Sequence, residues 1–397
     1  MTIFKVRTIG SLEALDGERQ YYDTFLDRLR LDWSFYYRVP FLKAHFEQSV
    51  RNEKLSFLFV TQDEKLVAVA PFVQIVQKWS RFWIRRLEFV GVSIKDLANE
   101  YPAILIDPEV DETAILHCLS SFLDSKASNW DQLDLSGLID GTQFRFFQDW
   151  MKGVTTIALD PGFQTAFPDG LAEVIDGHLP KNRMREVRRL GRKVLRDYPS
   201  ATYQMDYGLT DALFDEIFSL HSERQREKRK RGAVSSQSFF DDPERCQRMR
   251  MKLMCLAEIA DMRVYRLMID GRLVAFNLTI RSGATEYDLF MAFDHTFSTY
   301  SPSKLLMLHI MQGLDEERAV TTLDHMPGRS MLKKDFCNVE FARLRLVAYN
   351  HRRLMSFAKH NCFLATRGAY KLGVESVNTA KKKLRSKGAK QAGTAAS

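Results

Sequence analysis

Apolar and polar positions follow one order of elements that occurs twice along the chain. The first copy opens with SFLFVT (56–61), a polar QDEK and LVAVAPFVQIV (66–76); the second opens with VYRLMI (264–269), Asp270-Gly271 and RLVAFNLTI (272–280). Apolar runs on either side of a short polar turn predict β-hairpins, and Asp-Gly tolerates the positive φ that a tight turn needs. Downstream, Asn99–Asp107 and Thr285–Asp294 each predict a strand that ends on an aspartate. A helix follows in each copy, at about 111–128 behind Asp111 and Glu112, and at about 302–317 with Ser301 as N-cap and Pro302 in the first helical position. A last strand closes each copy, within Trp130–Gly137 and Val320–Gly328, and the first copy carries its extra length in 77–98. Hairpin, strand, helix, strand, twice over, predicts an α/β (α+β) fold of two tandem domains, each a mixed central sheet flanked by helices.

Pro161, Pro168 and Pro180 punctuate the connection between the copies. It leads into KNRMREVRRLGRKVLRDY (181–198), where Met184, Val187, Leu190 and Val194 recur at helical spacing and Arg185, Arg188, Arg189, Arg192 and Arg196 fall on the wet face. A second helix is expected at about 210–231, ending in the charged run Arg224 to Arg231 and stopped by Gly232. The division is then an N-terminal domain at 1–160, a C-terminal domain at 161–375 with a basic helical insertion at 181–232, and a disordered basic tail at 376–397.

The composition is that of an ordered globular chain, with 45% hydrophobic and 27% charged residues, and 397 residues exceed what one core usually supports. The net charge of +8 is localised: residues 181–196 hold eight basic side chains and one acidic, 223–232 six and two, and 376–397 six and none. Clustered positive charge predicts an anionic partner, above all at 181–196. The first residues lack a secretory pattern and no stretch is apolar enough to span a membrane, so a cytoplasmic location is expected. Five widely spaced cysteines without a CxxC pair predict neither a disulfide framework nor a zinc site, and no metal is expected. HExxH, GxxxxGK[ST] and GxSxG are absent, which removes the minimal parts of zinc proteases, P-loop hydrolases and serine hydrolases.

The pieces LPKNRMREVRRL, LHSERQ (220–225), the hairpin at Asp270-Gly271, AFDHTFSTYSPSKLL (292–306) and LDHMPGRSMLKKDF (323–336) together resemble the GNAT-like acetyltransferase domain of the bacterial cellulose-biosynthesis protein CelD group, which is related to the FemABX peptidyltransferases. Gln225, Ser303 and Leu332 depart from that pattern. The resemblance implies tandem GNAT-like domains, the first degenerate because acidic Asp107 to Glu109 precede its helix. It also implies an acyl donor, acetyl-CoA or another acyl-CoA, threaded between two splayed strands at about 286–293 and 320–326, with its pyrophosphate at the next helix N-terminus. Tyr300, Ser301, Ser303 and Lys304 would hold those phosphates, although the usual Gly-rich loop is missing. Acyl transfer needs a group to take the acceptor's proton. Asp324 and His325 at a strand end, His221 and Tyr287 are the catalytic candidates, with Arg224, Asp294 and Lys333 as substrate-binding candidates. Each has an ordinary alternative as a cap, core aromatic or surface charge. The implied reaction is N- or O-acyl transfer to a sugar, polysaccharide precursor or amine in exopolysaccharide or cell-envelope biosynthesis. The rivals are aminoacyl-tRNA-dependent transfer and a non-catalytic accessory protein.

Overall fold

A computed structural model describes residues 3–358 apart from 30, 32, 48–51, 80–81, 93–96, 126–127, 178, 232–240, 354–355 and 357. The predicted stop at Gly232, Cys362 and the tail at 376–397 lie outside the described residues.

The chain builds two mixed sheets. The first contains β1 (Phe4–Ile9), β2 (Glu53–Gln62), β3 (Lys65–Trp79), β4 (Phe82–Phe89), β5 (Leu105–Ile106), β6 (Gln132–Ile139) and β7 (Thr155–Ala158). The second contains β8 (Gly162–Ala166), β9 (Thr202–Tyr207), β10 (Asp261–Ile269), β11 (Arg272–Ser282), β12 (Thr285–Phe293), β13 (Thr322–Asp324) and β14 (Val339–Phe341), after which β15 (Arg343–Tyr349) returns to the first sheet. The orders are β1-β2-β3-β4-β6-β15-β7, with β5 on β3, and β14-β8-β13-β12-β11-β10-β9. The expected 160/161 boundary therefore separates every described strand except β15, which pairs with β6 and β7.

Both predicted hairpins form. Asp63 and Glu64 turn the first and Asp270 and Gly271 the second, all at positive φ. The helices are α1 (Leu12–Gly17), α2 (Arg19–Leu29), α3 (Val39–Glu47), α4 (Glu112–Asp124), α5 (Thr142–Trp150), α6 (Leu171–Gly177), α7 (Lys181–Asp197), α8 (Asp211–Lys230), α9 (Pro243–Ile259), α10 (Pro302–Glu317) and α11 (Met331–Phe336). In α7 the four periodic residues Met184, Val187, Leu190 and Val194 are buried against α10, and the five arginines are exposed.

The first copy departs from its predicted outline. The segment 77–98 contains a strand, β4, and β4 takes the parallel place beside β6 that β12 takes beside β13. The predicted strand 99–107 contracts to the two residues of β5. The chain between β4 and β5 leaves the sheet, and its Leu97 and Tyr101 enter a core on the second sheet with Phe218, Phe276 and Tyr287. Phe35, Tyr36 and Phe41 join the same core, so apolar burial ties the two halves together.

Candidate functional site

The site begins where β12 and β13 part. They pair in parallel through only three positions, ending at Tyr287 beside Asp324. Beyond this, the His325 N–H donates to Phe163 O on the other side, 2.9 Å away. On β12 the register with β11 slips: Thr279 faces Asp288 and Leu278 faces Phe290, so Leu289 is a bulge. A bulge bends its strand and aims it away from the neighbour. From Asp288 to Phe293, β12 has β11 on one edge and no described strand on the other. A strand edge without a partner presents backbone N–H and C=O groups to an extended ligand.

Asp288 and His325 stand at the apex of this opening, each the first residue beyond the last paired position. Both are buried, and Asp288 Oδ2 lies 3.9 Å from His325 Nδ1. Thr165 on β8 fixes the tautomer. Its hydroxyl donates to Phe336 O at 2.7 Å, so toward His325 Nε2, 2.8 Å away, it must accept. The imidazole proton therefore sits on Nε2, and Nδ1 is a bare lone pair turned toward Asp288 with no hydrogen bond of its own. Burial pushes the Asp288 carboxyl up to about 7; the Lys333 ammonium and Asn277 amide oppose the rise, and Asp324 adds to it. Burial, with the nearby Lys333 charge, pushes His325 down to about 3. It is neutral, and the group poised near pH 7 is Asp288.

Asp324 is held by neutral donors. The Tyr101 hydroxyl donates to Oδ1 at 2.8 Å, Gln164 Nε2 to Oδ2 at 2.8 Å, and the Met326 N–H to Oδ1 at 2.7 Å. Burial raises its pKa, against the pull of these donors. Tyr101 comes from the first half and is locked in place. Arg343 grips Glu100 through its carbonyl at 2.7 Å and its carboxylate at 2.6 Å. The Tyr101 N–H donates to Asn99 Oδ1 at 3.3 Å, and Asn99 Nδ2 donates to the Tyr37 hydroxyl at 3.0 Å. Gly137 makes room for the loop, since at φ +93° a Cβ would come 2.7 Å from Pro102 Cδ.

Lys333 does not extend into solvent. Its ammonium, half-buried over the Phe163 ring, donates to Met326 O and Pro327 O at 2.8 Å each and braces the turn after β13. Tyr287 is a core aromatic, edge-on to Phe35.

The expected phosphate cradle is only partly free. Ser301 occupies the N-cap of α10 but is left-handed, at φ 51° and ψ 55°, and its side chain makes no capping bond. The Lys304 and Leu305 N–H groups both close on Ser301 O, and Pro302 has no N–H, so Ser303 carries the remaining first-turn donor among the described residues. Lys304 pairs with buried Asp335 at 2.6 Å. The Tyr300 hydroxyl donates to Asp197 at 2.9 Å, under a Lys193 ammonium 4.7 Å from its ring.

His221 is buried on α8 beside Phe290, and burial pushes it down to about 4. Arg224 and Asp294 meet elsewhere, in a cleft of about 280 Å³ between α8 and the end of β12. Asp294 caps the following turn, accepting from the Thr296 N–H at 2.8 Å and pairing with Arg272.

The corresponding opening in the first half is filled. Glu88 and Asp134, at the end of the β4–β6 pairing, are buried against Arg86 and Arg345. The backbone beside β5 is stitched by Gln143 of α5, which donates to Ile104 O at 2.9 Å and accepts from the Ile104 N–H at 2.8 Å. An amide-bearing chain laid along that edge would find those partners taken. The second half has arginine on neither Asp288 nor Asp324 among the described ion pairs.

Sequence reasoning missed Asp288, Thr165, Gln164 and Tyr101. Asp288 carried a signal, a carboxylate inside the apolar strand TEYDLFMAF. The other three carried none, because long-range folding alone brings them to β13.

Among the described residues no group of His, Cys, Asp and Glu side chains could hold a metal ion, and no helix is long and apolar enough to cross a membrane. No curated protein matches the sequence. Among solved structures, FemX is similar over 82% of this chain and 95% of its own, at 10% identity and a TM-score of 0.54. A Bacteroides thetaiotaomicron protein of unknown function is similar over 88% of this chain and 100% of its own, at 12% identity and a TM-score of 0.50. The C-terminal domain of a putative lysylphosphatidylglycerol synthetase from Agrobacterium fabrum is similar over 84% of this chain and 92% of its own, at 13% identity and a TM-score of 0.50. At these identities the likeness is one of fold. The family model described as an acetyltransferase (GNAT) domain matches residues 181–334, the segment that contains β12, β13, Asp288 and His325. Residues 181–334 thus match a GNAT acetyltransferase domain, which supports an acyltransferase.

Proposed function

We propose that the chain moves an acyl group from coenzyme A to an amine or hydroxyl at the opening between β12 and β13, with Asp288 as the general base. The observation that carries this reading is the coincidence of an open strand edge with a buried carboxyl poised near 7 at its apex. Coenzyme A, when bound, supplies a thioester. The backbone of β12 beyond Asp288, with no described strand on its outer edge, would hold an extended pantetheine arm through the arm's amides. Transfer exchanges the thioester C–S bond for a C–N or C–O bond, and the acceptor's proton must leave as the thiolate departs. Asp288 takes that proton, with the neutral His325 Nδ1 facing it at 3.9 Å, and the proton would leave with the departing thiol. Thr165 keeps the imidazole in this tautomer; Asp324, Tyr101 and Gln164 fix the strand end beneath it. Ser303 offers its N–H to the donor phosphates, with Tyr300, Ser301 and Lys304 around it at the start of α10.

The motif resemblance to the CelD group supports a sugar or polysaccharide precursor as acceptor. Thiol release from acetyl-CoA, measured across a panel of amino sugars, sugars and simple amines, tests the reading. Release that depends on both acceptor and Asp288 supports it, and its absence with every acceptor and with longer acyl-CoAs refutes it. A second reading has one observation in its favour. The exposed arginine face of α7, together with the fold likeness to FemX, suits an aminoacyl-tRNA donor. That reading predicts tRNA affinity falling steeply with salt.

A further inference from the structure

A furrow runs along β5 in the first half, and its charges are almost all spent within the protein. Two lobes, of about 210 and about 380 Å³, share Trp33, Ala103, Glu112 and Gln143 and so form one channel. The second lobe meets a third, of about 610 Å³, at Asp107 and Pro108. No lysine or arginine lines the first two lobes among the described residues. The third has Arg28, which is committed to Asp107 at 3.4 Å and to Leu66 O at 2.7 Å. The acidic groups are paired as well: Asp107 with Lys65 at 3.1 Å, Glu109 with Lys65 at 3.6 Å, and Asp27 with Arg38. Glu112 is the exception. It accepts from Gln143 Nε2 at 3.2 Å through Oε1 and has no cation beside it among the described ion pairs.

The lining specifies a chemistry. Trp33, half-buried, stands 6.1 Å from the Tyr101 ring at an interplanar angle of 58°, and Pro102 and exposed Ile139 continue the apolar wall. At its edge the Glu112 carboxylate accepts hydrogen bonds, and the exposed Thr142 hydroxyl both donates and accepts. Rings to lie on, with hydroxyl-sized partners beside them and no counter-charge for an anion, match a sugar ring, whose C–H faces stack on aromatics while its hydroxyls bond at the rim. A phosphate, a nucleotide or coenzyme A would be left uncompensated here. Three joined lobes suit a chain of rings better than a single one. The furrow also reaches the chemistry of the second half through one residue, since Tyr101 lines its first lobe and the same hydroxyl holds Asp324.

We propose that this furrow binds the body of the acceptor, an oligosaccharide without anionic groups, with Trp33 as its stacking platform and Glu112 accepting from its hydroxyls. This rests on the acyl-transfer reading and narrows it: the acceptor is a sugar chain, and it spans both halves. The first half positions that chain and takes no part in the bond exchange.

Chitotetraose and cellotetraose, with tetragalacturonate as an anionic control, are titrated calorimetrically into full-length wild type, Trp33→Ala, Glu112→Gln and Gly141→Phe. Gly141 is extended and lines the first lobe, and a Cβ there meets only Ile139 O, at 3.8 Å, so a phenyl ring fills the lobe without backbone strain. Circular dichroism confirms folding, and Gly141→Phe decides the matter if Trp33→Ala does not fold. The expected result is that a neutral tetrasaccharide binds wild type, that its affinity falls at least about tenfold in Trp33→Ala and Gly141→Phe and about threefold in Glu112→Gln, and that acetyl-CoA affinity stays within about twofold of wild type. Binding of neither neutral probe overturns the proposal, as does a preference for tetragalacturonate or an affinity unchanged in the folded variants. If sugar binding follows these expectations while no acceptor elicits thiol release, the acyl-transfer reading fails and the sugar site stands. If wild type and Trp33→Ala both acylate the tetrasaccharide with the same KM, the acyl-transfer reading stands and this proposal falls.

Discussion

Replacing Asp288 with asparagine separates what this carboxyl costs the fold from what it gives the reaction. Asparagine keeps the shape and cannot ionise. In the native protein the carboxyl titrates at about 7, against an ordinary 3.8. Between those values the native state keeps a proton that the unfolded chain has released, so rising pH weakens the native state throughout this window. The penalty is complete above about pH 7. Three pKa units at about 1.4 kcal/mol each give a ceiling of about 4 kcal/mol. Asp288→Asn should therefore match wild type in stability near pH 4 and exceed it by a margin that grows to about 2–4 kcal/mol at pH 8. Activity should move the other way. Losing a general base costs about 10²- to 10⁴-fold in kcat, and wild-type kcat should rise with pH through about 7 before levelling. Paired thermal melts from pH 4 to 8 and thiol-release kinetics over the same range provide both readouts. A stability difference that does not change with pH, or a variant with near-normal kcat, would refute the assignment of Asp288.

Three further outcomes follow from the same geometry. Tyr101→Phe removes a hydrogen bond to buried Asp324; it should cost about 1.5–3 kcal/mol in unfolding experiments and lower kcat although the residue lies in the other half, and full activity would show that the bond is incidental. Gly137→Ala forces a Cβ against Pro102 at a positive φ, so a loss of about 2–4 kcal/mol and a looser 99–102 loop in hydrogen exchange are expected, and a variant as stable as wild type would contradict the packing. His221 is buried with its pKa pushed down to about 4, so it must gain a proton on unfolding in acid; the stability margin of wild type over His221→Gln should therefore grow from pH 4 to 6.5, and a margin that does not change with pH would contradict that burial.

Much of the fold was legible because local rules coincide with global ones. Asp270-Gly271 makes the hairpin it predicts, and the α7 stripe is buried at all four periodic positions. Ser301 and Pro302 mark the start of α10, although the Ser301 hydroxyl does not cap it. The first copy was misread around 77–107 because β4 and the loop behind it obey no short-range rule. That loop is placed by Arg343, Tyr37 and Gly137, residues distant in sequence. The return of β15 to the first sheet escaped notice for the same reason. At the site, strand-end logic found Asp324 and His325, but not which carboxyl would be poised to accept a proton. That depends on burial and on Thr165 setting the tautomer, neither of which a single strand reveals. Lys304 and Lys333 looked like free cations in the sequence, yet the fold commits one to Asp335 and the other to two backbone carbonyls.

The central claim is that a duplicated fold carries one working donor site, in the half where β12 and β13 stand open. Calorimetric titration of acetyl-CoA into the full-length protein tests it most directly. The account predicts one molecule bound per chain, with hydrogen-exchange protection confined to β12 from Asp288 onward and the start of α10, and none along β5 and Gln143. Two molecules per chain, or protection centred on β5, would contradict it.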